Sequence, residues 1–161
     1  MPYYDNWEDL VAAAQDRCAV ILEKDVRPVI EEIVLRHIHD DIYSVYKPKI
    51  GRWVDGTTYE RRYSLLSKKN LYHEMQDNGK TLMVTSIAKA SPSVVKGYSF
   101  HNRRPGSFLS LLESGNMGIW AGGFPRPAIS NAQREIDKSL SSVHSAIGAA
   151  IMAGLDKRLK S

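Results

Sequence analysis

The first candidates for chemistry are His37, His39 and Asp41, which stand at alternate positions in one short stretch. This spacing is typical of the H-x-H-x-D-H signature of metallohydrolases, in which alternate side chains of a loop converge on a metal ion. Ile42 stands where the last histidine of that signature is required. The stretch also continues a helical pattern, and side chains two residues apart on a helix point about 200° apart. We therefore predict no metal ligand here, and a metal-dependent hydrolase remains an alternative hypothesis.

Three further patterns resemble parts of catalytic motifs, and each lacks an essential residue. His73 begins a pattern like the zinc-protease H-E-x-x-H motif, but Asp77 replaces the second histidine. Gly79–Thr81 looks like the end of a phosphate-binding loop, whose first glycine would have to lie at Glu74. The single cysteine, Cys18, lies on an apolar helical stripe and excludes an internal disulfide framework. We predict a protein that is not an enzyme and that binds no cofactor or metal.

Basic residues concentrate in the middle of the chain. The net charge of the 161 residues is +4, divided into −4 over 1–50, +6 over 51–110 and +2 over 111–161. Basic and aromatic side chains interleave in this middle part and could form a nucleic-acid surface: Arg52, Trp53, Tyr59, Arg61, Arg62, Tyr63, Lys68, Lys69, Tyr72, Arg103 and Arg104. No recognised nucleic-acid-binding motif accompanies them, so a small basic nucleic-acid-binding module is the alternative function. The charge division also suits contact between unlike faces of neighbouring subunits.

The composition predicts a globular protein with a core of its own. Hydrophobic residues make up 43% of the chain and charged residues 25%, which is typical of a folded domain. No apolar run reaches the roughly 18 residues needed to cross a bilayer, so no membrane partner is expected. The first residues are acidic and polar, which predicts synthesis in a reducing cytoplasm without a secretory signal.

Helical periodicity dominates the first part of the chain. Apolar residues recur every three or four positions from Trp7 to Ile42, which predicts a long helical region over 1–48. Asp5 or Asn6 is expected to cap its start. Pro28 lies inside the pattern, so we expect a kink or the start of a second helix at this point.

The apolar period shortens towards two over 50–106, which predicts an antiparallel sheet. Tyr59–Leu66 reads as a strand. Leu71–Gln76 and Lys80–Ala88 read as the two strands of a hairpin, because Asn78 and Gly79 between them tolerate positive φ.

The last part of the chain predicts a short helix and an exposed loop over 107–125, then a long helix over 126–161 that begins at Pro127. The apolar seam of the long helix is expected to pack on the sheet, and its small residues would also allow another helix to approach. The seam consists of Ile129, Ala132, Ile136, Leu140, Val143, Ile147, Ile151 and Leu155. Together these elements predict a single α+β domain over 1–161.

Three short motifs, taken in order, resemble a known family. The corner motif, Asp41-x-Tyr43-x-x-Tyr46-x-Pro48, closes the helical region. The strand motif, Tyr59-x-Arg61-Arg62-x-x-Leu65-Leu66, opens the sheet. The loop–helix motif is Glu113-x-Gly115, then a variable loop, then Arg126-Pro127 before the long helix. The ordered set is similar to the tail-completion, or head–tail joining, proteins of tailed phages, often described as minor capsid or minor tail components. The chain departs from that family in an insert over 51–56 and in Ala128, where an aromatic residue is common.

This resemblance implies a structural virion protein that forms a ring in the neck, completes the tail and joins it to the DNA-filled head. The implied partners are further copies of the chain, in a six-fold or twelve-fold ring, and the adjacent head-connector, tail-terminator and tail-tube proteins. Non-specific contact with DNA in the ring lumen is also implied. The protein would be made in the cytoplasm of the bacterial host and would end in the virion neck.

The resemblance also implies a set of interface residues. The two tyrosines of the corner motif would shape the corner between the helices and the sheet. The two arginines of the strand motif would contact neighbouring subunits or the lumen, and the aromatic residues of the 115–125 loop would anchor on an adjacent ring. The residues concerned are Tyr43, Tyr46, Arg61, Arg62, Trp120, Phe124 and Arg126.

Overall fold

The computed structural model describes residues 6–45, 64–87, 109, 113 and 125–159, and the structural statements below concern these residues. They form four α-helices, α1 (Trp7–Ile21), α2 (Arg27–His37), α3 (Ala128–Leu140) and α4 (Ala146–Leu159), and two strands, β1 (Leu71–Gln76) and β2 (Thr81–Ser86). Two π-helical turns, Leu22–Val26 and Ile38–Ser44, follow α1 and α2, and the short 3₁₀ turns Ser64–Leu66 and Lys68–Asn70 precede β1. The predicted α+β fold class is confirmed, with helix predominating.

The chain groups into two compact units. The first unit holds the described residues within Met1–Glu32, Tyr72–Thr85 and Arg134–Ser161. The second unit holds those within Ile33–Leu71 and Ser86–Gln133. The assignment of 1–161 to a single domain stays a prediction.

Helix α1 begins where the sequence predicted a cap. The backbone N–H of Asp9 donates to the side-chain oxygen of Asn6 at 2.8 Å, which satisfies one of the amides that a helix start leaves without a partner. Glu8 and Asp9 lie in the first turn, where negative charge is favourable beside the positive end of the helix dipole.

Pro28 affects the helix through a π-helical turn. The N–H of Arg27 donates to the carbonyl of Leu22, five residues back, at the end of the Leu22–Val26 turn. Proline has no N–H, and its ring crowds the carbonyl four residues back, so a wider turn just before Pro28 relieves both problems. The predicted break at Pro28 therefore takes the form of a local widening, after which the chain continues as α2.

Helix α4 packs on the end of α1 and on the first π-helical turn. The sequence predicted instead that this part of the chain packs on the sheet. The close approach occurs at Gly154, where an added Cβ would lie 2.9 Å from Asp25 Oδ2 and 3.0 Å from Ile21 Cγ2. One turn later, Arg158 Nη1 donates to Asp25 Oδ2 at 2.6 Å. The apolar side chains buried in this unit include Ile21, Val26 and Ile147.

The predicted hairpin is present, and its turn needs unusual backbone angles. Asp77, Asn78 and Gly79 have φ values of 52°, 53° and 84°, in the left-handed region that asparagine and glycine tolerate best. The turn lies against α1, because a Cβ at Gly79 would come within 2.7 Å of Ala19 Cβ. On β1, His73 Nε2 accepts a hydrogen bond from Arg27 Nη1 at 2.6 Å.

Two predicted elements differ from the structure. Ser64–Leu66, the end of the strand predicted over Tyr59–Leu66, forms a 3₁₀ turn, and residues 59–63 lie outside the described ranges. The long helix predicted over 126–161 is divided into α3 and α4 by 141–145. Ser145 causes this break: its Oγ donates to the Ser142 carbonyl at 2.7 Å and accepts from the Gly148 N–H at 3.0 Å. Serine side chains in such positions replace helical hydrogen bonds with local ones.

Candidate functional site

The three motifs identified in the sequence meet in the second unit. The buried apolar side chains described in this unit are Ile33, Val34, Ile38, Ile42, Leu65, Leu109, Ala128 and Ala132. They come from α2, the second π-helical turn, the first 3₁₀ turn, the 107–113 region and α3. Segments far apart in sequence therefore share one core, and polar side chains from the motifs connect them. We call this arrangement the motif junction.

A hydrogen bond joins the corner motif to the strand motif. The phenolic oxygen of Tyr43 accepts from the backbone N–H of Leu65 at 3.1 Å. Leu65 is buried, and a buried amide without a partner is costly, so the tyrosine hydroxyl satisfies a group that the 3₁₀ turn does not. Tyr43 therefore fixes the point at which the chain enters the hairpin region.

A second contact joins the corner motif to α3. The side-chain amide of Asn131 donates to Asp41 Oδ2 at 3.1 Å. The same carboxylate oxygen lies 3.1 Å from His37 Nδ1, one helical turn before it. Both side chains of the His37–Asp41 pair are about one-fifth to one-quarter exposed. Asp41 thus holds the second π-helical turn against the first part of α3.

The first residue of the loop–helix motif contacts the start of α3. Glu113 Oε1 accepts from the backbone N–H of Ser130 at 2.7 Å. The residue before α3 is Pro127, whose side chain has no acceptor and cannot cap the helix. The carboxylate of Glu113 takes over this capping from a distance, and its negative charge is favourable at a helix N-terminus.

The predicted interface residues are only partly within the described ranges. Tyr43 belongs to the motif junction, and Arg126 is buried, at 7% exposure, two residues before the start of α3. Tyr46, Arg61, Arg62, Trp120 and Phe124 lie outside the described residues. The interface roles assigned to all seven residues stay predictions.

The histidine-rich stretch forms local pairs. His37 contacts Asp41, and His39 Nδ1 lies 2.8 Å from Asp40 Oδ1 on an exposed part of the π-helical turn. Within the ranges described above, no three histidine, cysteine, aspartate or glutamate side chains come together as a metal site would require. None of the helices that the structure describes is long and apolar enough to span a membrane.

A known protein family matches most of the chain. The family model YomN matches residues 6–157, which include all three motifs. The chain belongs to the YomN family. This is a phage-derived domain family, of the kind present in a Bacillus prophage similar to SPbeta. Membership of the YomN family confirms the predicted relation to phage, and the position in the neck stays a prediction. No curated protein and no solved structure matches the chain.

The sequence did not predict several residues whose contacts stabilise one unit or the other. Asn131 lies beside the apolar seam of Ile129 and Ala132 and not on it, so no local pattern marks its contact with Asp41. Asp25 and Arg158 form a pair across 133 residues of sequence, and neither residue lies in a recognisable local pattern. These contacts depend on tertiary structure, which the spacing of single residues does not encode.

Proposed function

We propose that this YomN-family chain is a structural protein of a tailed phage or phage-tail-like particle, and that it forms a ring in the neck between head and tail. The observation that carries the proposal is the motif junction. Four residues of the motifs that carry the resemblance to head–tail joining proteins connect distant segments of the second unit: Asp41, Tyr43, Leu65 and Glu113. The phage origin of the family supports this assignment.

The proposed role requires a rigid subunit more than a reactive site. A ring subunit carries load between neighbouring rings, so its elements have to keep their positions while other surfaces make the contacts. In this proposal the junction supplies the frame, and Trp120 and Phe124 would make the contacts with an adjacent ring. The arginines of the strand motif, Arg61 and Arg62, would contact a neighbouring copy or DNA in the lumen.

The charge division gives a physical reason for ring formation. Residues 1–50 carry −4 and residues 51–110 carry +6. Unlike faces on one subunit favour head-to-tail association, which closes into a ring when the rotation between copies is suitable. The same basic part would tolerate DNA passing through the lumen without sequence preference.

The proposal is tested by an early stop codon in this gene of the parent phage, followed by electron microscopy of the lysate. We expect DNA-filled heads beside separate, finished tails, and restoration of joined particles when the intact gene is supplied in trans. A synonymous change at the same codon is the matched control. Normal infectious particles from the stop-codon phage would refute the proposal. Steeply salt-dependent binding of the purified chain to duplex DNA would then favour the alternative function.

A further inference from the structure

Helix α4 is apolar on all sides over most of its length. Residues 146–155 carry no charged or hydrogen-bonding side chain, and the charged residues of the helix lie at 156–158, in its last turn. A helix that is apolar all round normally lies in a protein interior. One side of α4 meets this expectation, because Ile147 and Gly154 are buried where the helix packs on α1 and the first π-helical turn.

The other side of α4 is apolar but exposed to solvent. Ala149, Met152 and Leu155 are exposed there, Met152 at 53% and Leu155 at 37%. Val143, which is 64% exposed, adds to this surface from the turn before the helix. Its Cα would lie 2.7 Å from a Cβ at Gly148, about one helical turn before Met152. We call these four side chains, at 143, 149, 152 and 155, the outer α4 face, and a contiguous apolar surface of this kind marks a contact.

The two ends of this face have opposite polarity. At about 100° per residue, Ala149 and Met152 lie in one row along the middle of the exposed side. The same row begins at Ser145, whose Oγ accepts from a backbone N–H in the first turn of α4, and it ends at Asp156. The face therefore runs from the positive N-terminus of a helix to a carboxylate, with apolar side chains between them.

Such a face is complementary to a second copy of itself in the antiparallel orientation. Asp156 of one copy would lie beside the first turn of α4 in the other, where negative charge is favourable, and symmetry makes this contact twice. A parallel pair would place the two Asp156 carboxylates beside each other. Lys157 lies about 100° around the helix from Asp156, at the edge of the face, and its long side chain can keep the ammonium group in water.

We propose that two copies of this chain associate through their outer α4 faces, with the two helices antiparallel. The contact is isologous, so it closes at two copies. It does not rest on the proposed ring, whose head-to-tail contacts use other surfaces, and it makes the free chain a dimer before assembly. One helix packed on its copy is a small interface, so we expect association at micromolar concentration.

The first test measures the mass of the free full-length chain by sedimentation over a range of concentrations. We expect a rise from the 18.1 kDa of one chain towards twice that mass. Met152→Glu should weaken the association at least about tenfold, because its carboxylate would be buried among apolar side chains. Trp7→Glu is the matched control, since Trp7 is exposed and apolar but lies on α1. Circular dichroism verifies that both variants keep their helix content. A wild-type chain that stays monomeric to about 1 mM, or equal association of the two variants, would refute the contact.

The second test concerns the polar ends of the face. Asp156→Asn should weaken the association by about threefold to thirtyfold, because two favourable contacts with a helix N-terminus are lost. Lys157→Gln, at the neighbouring position, should leave it within about twofold of wild type. Both are surface substitutions at the end of α4, so they remain informative where Met152→Glu disturbs folding. Equal effects of the two substitutions would overturn the antiparallel arrangement.

The third test determines the orientation directly. Cys18→Ser removes the single cysteine of the chain, and in this background one chain carries Ala149→Cys and a second carries Met152→Cys. After mixing and oxidation we expect the mixed disulfide to predominate, because the antiparallel pair places 149 opposite 152. Disulfides between identical chains in excess would show a parallel contact and overturn the inference.

These measurements separate the inference from the proposed function. Normal particles from the stop-codon phage would refute the function and leave the dimer of the free chain unaffected. A monomeric free chain whose Met152→Glu variant is missing from purified particles would show that another virion protein covers the outer α4 face. The proposed function would then stand, and the self-association would be overturned.

Discussion

Replacing Gly154 by alanine should destabilise the protein although the position is helical. Alanine is favoured over glycine inside a helix by about 1 kcal/mol, so propensity alone predicts a gain in the free energy of unfolding. The added Cβ, however, would lie 2.9 Å from Asp25 Oδ2 and 3.0 Å from Ile21 Cγ2. The carboxylate has to move, and the hydrogen bond that it accepts from Arg158 at 2.6 Å is then lost.

The magnitudes decide the sign. A hydrogen bond between charged groups contributes about 1.5–3 kcal/mol, and both side chains of this pair are only about one-fifth exposed. Crowding at Ile21 adds a smaller cost of overpacking. Against the propensity gain, we expect Gly154→Ala to lower the free energy of unfolding by about 1–2 kcal/mol. For a chain of this size that corresponds to a decrease in Tm of about 2–8 °C.

A double-mutant cycle identifies the cause. In the Asp25→Ala background there is no carboxylate to displace, so Gly154→Ala should become close to neutral or stabilising, as measured by urea unfolding. Ala153→Gly, at the exposed neighbouring position, measures the propensity difference in the same helix and should cost about 1 kcal/mol. An equal loss from Gly154→Ala in both backgrounds would refute the assignment to Asp25. A stabilising effect in the wild-type background would refute the close approach itself.

Substitutions at three further positions test other contacts by thermal or urea unfolding. Glu113→Ala should cost about 1–2 kcal/mol because the Ser130 amide loses its charged cap, and Glu113→Gln should recover part of that loss; equal stability of all three proteins would contradict the cap. Gly79→Ala should lower the free energy of unfolding by about 1–3 kcal/mol, because the turn requires positive φ and the new Cβ meets Ala19. A stability within about 0.5 kcal/mol of wild type, which is the effect of a neutral surface change, would exclude that contact. Ser145→Ala should cost about 1 kcal/mol through loss of the α4 cap, and unchanged helix content and stability would show that the break between the helices has another cause.

Periodicity predicted the helices and the hairpin because their causes are local. The cap at Asn6, the effect of Pro28 and the Asn78–Gly79 turn each depend on residues within a few positions. The same periodicity correctly indicated a buried side for the second half of the helical region, where Ile38 and Ile42 are 1% and 5% exposed.

Periodicity failed where burial depends on which elements are present to cover a face. Trp7 and Cys18 lie on the same predicted stripe as Ile21, yet only the last of these is buried. Val143 was predicted on the seam of a continuous helix, and the serines beside it end that helix instead. An apolar stripe specifies that a side chain can be buried, and the tertiary contacts specify whether it is.

The hydrogen bonds of the motif junction indicate how the motifs would act in the proposed ring. The contacts between Asp41 and Asn131 and between Tyr43 and Leu65 join residues 90 and 22 positions apart. Both bonds are partly buried. The bond to the Asp41 carboxylate contributes about 1.5–3 kcal/mol and the neutral bond between Tyr43 and Leu65 about 1 kcal/mol. Hydrogen bonds are directional, whereas the surrounding isoleucine and alanine contacts tolerate small shifts, so the bond between Asp41 and Asn131 decides the register of α3. In the proposed ring, a change inside a motif would weaken assembly by loosening the subunit frame. A change at a surface contact would weaken assembly without loosening the frame, and stability measured beside assembly distinguishes the two causes.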